Sequence, residues 1–125
     1  MAHGEMAKGL LDAVARISGV GGEALLALSN DGKSPDVLRT ELAGLLGNGP
    51  VIIFTDLPSG SCAVTARVCC PEEGEEAVVF GVNLAILLDF VFHRDLPLEE
   101  LVPRLLEKGR ESVRSFPDYS RNLSA

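Results

Sequence analysis

The fold is decided by one stretch of the chain, PVIIFTDLPSGS at residues 50–61. Its first half, Pro50 to Thr55, is continuous, apolar and rich in β-branched residues, which is typical of a strand buried on both faces of a parallel sheet. Asp56 to Gly60 has the composition of a loop, and the apolar spacing predicts a helix over Ser61–Cys70. The stretch therefore predicts a strand–loop–helix unit of an α/β domain.

Outward from this unit, helices and strands continue to alternate. Alternation with buried strands predicts a doubly wound, mostly parallel sheet with helices on both faces, in a flavodoxin-like strand order. An alternating fold of this kind normally opens with a strand, and here only Met1 and Ala2 precede the first helix. The predicted helices span Glu5–Ser18, Pro35–Leu46, Asn83–Phe92 and Leu98–Val113, and the other predicted strands span Ala24–Leu28 and Ala77–Val82.

Length and composition bound the class of protein. The 125 residues, 46% of them hydrophobic, suit one globular domain at residues 1–114 followed by a loosely packed C-terminal tail at 115–125. The net charge of −7 and the absence of a basic patch argue against nucleic-acid binding. No apolar run approaches the ~18 residues of a membrane span, and three cysteines, two of them adjacent, fit a reducing cytoplasm.

A site for an anion is predicted where the quoted strand gives way to its helix. Ligands of open parallel sheets bind beyond the carboxyl ends of the strands. Ser59, Gly60 and Ser61 lead directly into a helix N-terminus, where free backbone N–H groups and the helix dipole attract negative charge. Small residues there let a phosphate approach the backbone.

His3 and Asp56 are the candidate catalytic pair. A carboxylate at the strand end can hold a histidine from the neighbouring loop, which would fix the imidazole tautomer and leave the other ring nitrogen as a nucleophile. A histidine near a chain end is also commonly incidental, and loop capping is the alternative role for Asp56 with Ser61. His93, beside Arg94, is expected to be solvated or to cap its helix. No cysteine and histidine spacing suits zinc, and no metal or organic cofactor is expected.

Three segments together resemble the mannose-family IIA proteins of the bacterial sugar phosphotransferase system. They are HGEMAKGLL at residues 3–11, FTDLPSGS at 54–61 and GVNL at 81–84. In that family the corresponding segments are a phosphorylated His-Gly, an Asp loop ending Gly-Gly-Ser-Pro, and Gly-Val-Asn-Leu-Pro. The resemblance covers residues 3 to about 113, with Ser59 in place of a family Gly and with Cys62 and Ala85 in place of prolines.

The resemblance implies a phosphohistidine relay. His3 would accept a phosphoryl group from HPr and pass it to a IIB protein, Asp56 would orient the imidazole, and Ser61 with its neighbours would bind the phosphoryl group. The family is commonly dimeric and cytoplasmic, and its membrane sugar permease handles the sugar. Two alternatives stay open: a degenerate regulatory or anion-binding protein of the same fold without transfer activity, and an unrelated flavodoxin-like anion-binding domain.

The resemblance also raises the question of the first strand. Family members begin with an apolar strand of roughly five or six residues, a normal strand length, in the centre of the sheet. We expect either that such a strand is encoded ahead of Met1, or that the sheet is rearranged by the Ala24–Leu28 strand or completed by a second subunit, for instance through its tail. In the first of these cases, His3 is expected on a frayed end.

Overall fold

The structure, a computed structural model, describes residues 1–70 and 75–120 and has an α/β architecture. Every predicted helix is present. The predicted strands Pro50–Thr55 and Ala77–Val82 also form, and the bounds of all these elements agree with the prediction to within two residues at each end. None of the helices in these two ranges is long and apolar enough to cross a membrane. The elements are α1 (Met6–Ser18), α2 (Pro35–Leu45), β1 (Val51–Thr55), α3 (Ser61–Cys69), β2 (Glu76–Phe80), α4 (Leu84–His93) and α5 (Leu98–Ser112).

Local chemistry explains where several helices begin and end. Ser34 accepts a hydrogen bond from the backbone N–H of Val37, and Pro35 occupies the first turn of α2. Asn83 caps α4 in the same way, through the N–H of Ile86. α1 ends at Gly19, whose φ of 77° lies in the left-handed region that glycine adopts at little cost.

Two parallel strands form the sheet, and helices cover both of its faces. β1 pairs with β2 from Val51 opposite Glu76 to Thr55 opposite Phe80. Successive residues of β1 point to opposite faces, so that Phe54 packs against α1, α4 and α5, while Ile53 packs against α2 and α3. The predicted class, a doubly wound parallel sheet with helices on both faces, is confirmed.

The predicted strand Ala24–Leu28 is the one element that does not form. This segment makes a single parallel bridge beyond its end, between Ser29 and Ala2. It does not pair with β1, whose strand partner among the described residues is β2, so the expected rearrangement of the sheet is wrong. The physical reason is distance, because a cleft and the Met1–Ala2 dipeptide lie between the segment and β1. A strand forms only where another strand pairs with it along its length, and the segment beside Ala24–Leu28 is the dipeptide Met1–Ala2.

The N-terminus itself is held at both sides. The N–H of Ala2 donates to the carbonyl of Leu28 at 3.0 Å, and the carbonyl of Ala2 accepts from Asn30 at 3.2 Å. The Met1 ammonium donates to the Phe54 carbonyl at 2.8 Å. Because Ala2 is also 1% exposed, the expectation of a frayed end before His3 is wrong.

The tail was predicted to begin at residue 115. Residues 115–120 are exposed, and residues 121–125 of the predicted tail lie outside the described residues. The division into a domain and a tail therefore stays a prediction.

Candidate functional site

The carboxyl end of β1 brings His3 and Asp56 together. Asp56 follows the last residue of β1, and His3 follows the bridged residue Ala2, so both leave the sheet at the same edge. The ring Nδ1 of His3 lies 2.7 Å from Oδ2 of Asp56, and the backbone N–H of His3 donates to the same oxygen at 3.0 Å. The other carboxylate oxygen accepts from the Leu57 N–H at 3.0 Å. The predicted pairing of the two residues is thus present in the structure.

Asp56 is a largely buried anion whose charge is supported by its partners. Its side chain is 8% exposed. Burial works to raise the pKa of the carboxyl, but the hydrogen bonds from the His3 backbone and ring and the attraction to that ring outweigh it. The net effect lowers the pKa of Asp56, so that it is a carboxylate at neutral pH. Since a carboxylate can only accept, Nδ1 of His3 carries the proton.

The second ring nitrogen of His3 is left to act as a base or nucleophile. In a neutral imidazole with the proton on Nδ1, Nε2 has a free lone pair. The side chain is 46% exposed, so this atom can be reached from outside. Its neighbour is Gly60, where a Cβ would lie 3.9 Å from Nε2 and 3.8 Å from Cε1. Gly60 has φ of +92°, a conformation that side chains rarely adopt.

The N-terminus of α3 lies against the same ring. Gly60 is its N-cap and supplies no side-chain hydrogen bond, so the first N–H groups of the helix are available to an anion. Ser59, Gly60 and Ser61 are all exposed. Of the three predicted phosphoryl-binding residues, Gly60 lies beside the His3 ring, and Ser59 and Ser61 are its neighbours in the chain.

Two further residues at this edge, Ser29 and Asn30, were not predicted. The Asn30 amide donates to the Ser61 hydroxyl at 3.2 Å. The Ser29 hydroxyl donates to the Gly4 carbonyl at 2.8 Å and so fixes the turn after His3. One signal could have indicated them: they directly follow the predicted strand Ala24–Leu28, and so belong to the same carboxyl edge as Asp56. The Asn30-Asp31-Gly32 turn signal obscured this placement.

Cys62 completes a group of three potential metal ligands. One donor atom each from His3, Asp56 and Cys62 lies within 4.8 Å of the other two. Burial raises the pKa of the Cys62 thiol, and the negative charge of Asp56 raises it further. Metal ligation needs the thiolate, and Asp56 is already engaged by three hydrogen bonds. The donor set therefore fits a resident metal ion poorly.

The remaining candidates are occupied elsewhere. The Asn83 amide, besides capping α4, donates to the Ser112 hydroxyl at 3.1 Å. His93 lies in the last turn of α4, with Nδ1 2.9 Å from the Asp89 carbonyl and 3.3 Å from its carboxylate. That carboxylate also accepts two hydrogen bonds from Arg104. His93 therefore belongs to an ion-pair cluster between α4 and α5.

Comparison with known proteins gives the same family as the motifs. The chain matches the EIIA-man family, described as "PTS system fructose IIA component", over residues 1–105. This match covers most of the chain, and the chain belongs to that family of phosphotransferase-system components. Among curated proteins none matches it.

Solved structures of similar fold carry related descriptions. Phosphotransferase system component EIIA from Streptococcus agalactiae superposes with a TM-score of 0.85 at 22% identity, covering 93% of each chain. The mannose/sorbose specific IIA subunit from Enterococcus faecalis has a TM-score of 0.80 at 26% identity, covering 92% of this chain and 89% of that one. A putative phosphoenolpyruvate-dependent sugar phosphotransferase system permease from Klebsiella pneumoniae has a TM-score of 0.80 at 22% identity. This match covers 91% of this chain and 85% of that one. The predicted family and fold class are confirmed.

Proposed function

We propose that this chain is a phosphocarrier that accepts a phosphoryl group on Nε2 of His3 from HPr and passes it to a IIB protein. One observation carries the proposal: the 2.7 Å contact between Nδ1 of His3 and Oδ2 of Asp56. This contact assigns the proton to Nδ1 and leaves Nε2 unprotonated on a half-exposed ring. Membership of the phosphotransferase-system family supports the choice of reaction.

The chemical step is a direct displacement at phosphorus. The Nε2 lone pair forms a bond to phosphorus while the bond from phosphorus to the donor atom breaks, and the donor keeps that electron pair. Nδ1 retains its proton throughout. The ring gains positive charge as the new bond forms, and the carboxylate of Asp56 stabilises that charge from 2.7 Å away. Transfer onward reverses the same step with the IIB acceptor.

The start of α3 would hold the phosphoryl oxygens. The N-cap of α3 makes no side-chain hydrogen bond, and Gly60, which has no Cβ, lies beside the His3 ring, so the first N–H groups of the helix and the Ser61 hydroxyl would be the donors to the phosphoryl oxygens. Asn30 orients the Ser61 hydroxyl by donating to its oxygen. The hydroxyl of Ser61 would then donate its proton to a phosphoryl oxygen. Ser59 would contribute through the backbone at the approach to the helix.

The wider setting belongs to the same proposal. The chain would act in the cytoplasm as a homodimer, and its link to the membrane sugar permease would run through the IIB protein. The transfer needs no metal or organic cofactor, because the histidine supplies the nucleophile and the helix N-terminus supplies the positive potential.

A second candidate is a regulatory or anion-binding protein that has lost transfer. The chain departs from the family pattern beside the phosphoryl site, with Ser59 for glycine and Cys62 for proline. The buried thiol of Cys62 lies among the donor atoms of His3 and Asp56. Such a protein would bind anions at α3 without forming a bond to His3.

The test is transfer of labelled phosphoryl groups from phosphorylated HPr to the wild-type chain, His3→Ala and His93→Ala. We expect label on the wild type and on His93→Ala, and none on His3→Ala. His93 is the matched control because it is the other histidine of the sequence. Labelling of His3→Ala would refute the assignment, and an unlabelled wild type that still binds inorganic phosphate would favour the second candidate.

A further inference from the structure

The candidate site is built from two parts of the chain that lie far apart in sequence. His3 lies in the turn before α1, and Ser61 is the first residue of α3. A phosphoryl group bonded to Nε2 of His3 has to meet its donors at the start of α3, and misplacement of a group by about 1 Å is enough to slow a reaction greatly. Whatever fixes these two parts relative to each other therefore bears on the rate of transfer.

Ser29 and Asn30 are adjacent residues that each contact one of the two parts. The Ser29 hydroxyl donates to the carbonyl of Gly4, the residue after His3, at 2.8 Å. The Asn30 amide donates to the Ser61 hydroxyl at 3.2 Å. Because the two residues share a peptide bond, a shift of this dipeptide moves both contacts together. The loop that holds the dipeptide therefore influences how the turn after His3 and the start of α3 lie relative to each other.

This loop is closed as a tight turn from Asn30 to Lys33. The N–H of Lys33 donates to the Asn30 carbonyl at 3.2 Å, and the N–H of Asp31 donates to the Ser29 hydroxyl at 3.1 Å. Gly32 is the third residue of the turn and has φ of +66°, a conformation that side chains rarely adopt. The turn is thus a hydrogen-bonded unit, with Asn30 at one end and Lys33 at the other.

Lys33 ties the turn to α2. Its Nζ lies 2.6 Å from the carboxylate of Glu41, in the middle of that helix. The Lys33 side chain is 24% exposed and that of Glu41 is 43% exposed. An ion pair with this much solvent contact contributes little to the stability of a fold, so that either residue can be changed without unfolding the protein. What the pair does fix is the place of the turn against α2.

We propose that Lys33 and Glu41 are positioning residues for phosphoryl transfer, which act through Asn30 on the Ser61 hydroxyl. The inference rests on the proposed function, because it concerns the same site. The ion pair holds the end of the turn on α2, and the turn holds Asn30. Asn30 in its place holds the hydroxyl that would donate to a phosphoryl oxygen. A change at the ion pair therefore reaches the site through three contacts in sequence.

The first experiment measures transfer to Lys33→Met at a series of concentrations of phosphorylated HPr. Without the ion pair the turn has more freedom, and the Ser61 hydroxyl is less often in place when the phosphoryl group arrives. We expect kcat to fall about 3- to 10-fold while KM for HPr stays within about twofold of the wild type. Arg39→Met, which breaks the exposed pair with Asp36 on the same helix, is the matched control and should keep the wild-type kcat. Equal kcat for the two variants would overturn the proposal.

Glu41→Gln removes the other partner and separates positioning from a direct effect of charge. Loss of Lys33 takes away a positive charge and loss of Glu41 takes away a negative one, so that a direct effect on the phosphoryl group would have opposite signs in the two variants. Positioning predicts a fall in kcat for both of them. A Glu41→Gln variant that transfers as fast as the wild type, or faster, would overturn the proposal.

Asn30→Ala tests whether the ion pair acts through Asn30. Residues that act along one chain of contacts are not additive, so Lys33→Met should change kcat by less than about twofold once Asn30 is alanine. Lys33→Arg keeps the charge of the pair and should transfer at the wild-type rate. Independent losses, in which the two reductions in kcat multiply, would overturn the route through Asn30.

Binding of inorganic phosphate separates failure of this inference from failure of the proposed function. The backbone N–H of Ser61 is followed by NMR while phosphate is added to the wild type and to Glu41→Gln. We expect Glu41→Gln to bind phosphate at least about threefold more weakly. A wild type that takes no label from HPr overturns the proposed function, and weaker phosphate binding by Glu41→Gln then still supports the positioning of Ser61. Equal phosphate binding by the two proteins overturns the inference, whereas labelling of the wild type leaves the proposed function standing.

Discussion

Oδ2 of Asp56 accepts two hydrogen bonds from one residue, and the two bonds do different things. The bond from the His3 backbone at 3.0 Å fixes where the loop lies, and the bond from the ring at 2.7 Å fixes how the imidazole is turned and protonated. A neighbouring carboxylate at hydrogen-bonding distance is a common means of setting a histidine tautomer.

We therefore predict that Asp56→Asn slows transfer from HPr to His3 by about 10- to 100-fold, because one charge-assisted hydrogen bond contributes about 1.5–3 kcal/mol. The amide can present its NH2 group to Nδ1 and so favour the wrong tautomer. The measurement is the single-turnover rate of phosphorylation. Asp12→Asn, which removes an exposed carboxylate paired with Arg16, is the control and should keep the wild-type rate. Equal rates for the two variants would show that Asp56 has no part in transfer.

At the scale of elements, α3 joins the site to the fold. The helix begins at Ser61, directly after Gly60 beside the His3 ring, and packs its buried residue Ala66 against the core on the Ile53 face of β1. Its first turn contains no acidic residue and its N-cap makes no side-chain hydrogen bond. Capping side chains and acidic residues are favoured at these positions, and their absence from α3 leaves N–H groups that a phosphoryl group would use.

Ser61→Asp tests this use of the helix. A carboxylate in the first turn is expected to stabilise the helix by about 0.3–1 kcal/mol, while its charge repels the phosphoryl group from the same N–H groups. We predict unchanged or higher stability in urea unfolding together with transfer slowed by at least about 10-fold. Ser61→Asn is the neutral control of nearly equal shape and should transfer faster than Ser61→Asp. Equal rates for these two variants would show that phosphoryl charge is not felt at α3.

The elements also show which parts of the fold and of the site can be predicted from the sequence. Buried strands, helix caps and the pairing of His3 with Asp56 could be predicted, because each depends on a local pattern plus the rule that ligands lie at the carboxyl edge of the sheet. The Ala24–Leu28 strand could not be predicted correctly, since a strand depends on its neighbours and this segment lacks one along its length. Asn30 was interpreted as part of a turn, and its contact with Ser61 joins residues 31 positions apart, beyond the reach of a local pattern.

At the scale of the whole molecule, the His3–Asp56 pair links the site to folding. The folded state holds the pKa of Asp56 below its ordinary value, and a group of this kind adds stability that is present above its unfolded pKa. That stability is lost as the pH falls through the lowered pKa of the folded state. The pair thus ties the N-terminal residues to β1 at neutral pH and releases part of this stabilisation in acid.

We predict that the free energy of unfolding falls less steeply on acidification in Asp56→Asn than in the wild type. The two proteins should differ most near neutral pH, begin to converge below the ordinary pKa of an aspartyl carboxyl, and meet once the pH is below the lowered pKa of Asp56, where the folded wild type is protonated as well. Urea unfolding at a series of pH values measures this. His3→Ala should give an intermediate slope, because Asp56 keeps its bond from the backbone N–H. Parallel curves for all three proteins would mean that the pair does not stabilise the fold.

The most direct test of the central claim is to identify the atom that carries the phosphoryl group. After incubation with phosphorylated HPr, phosphorus NMR on protein with nitrogen-15-labelled histidine reports which nitrogen is bonded to phosphorus. The account predicts phosphorus–nitrogen coupling to Nε2 of His3, because Nδ1 carries a proton that is hydrogen-bonded to Asp56. A phosphoryl group on Nδ1 of His3, on His93 or on the Ser61 hydroxyl would contradict it.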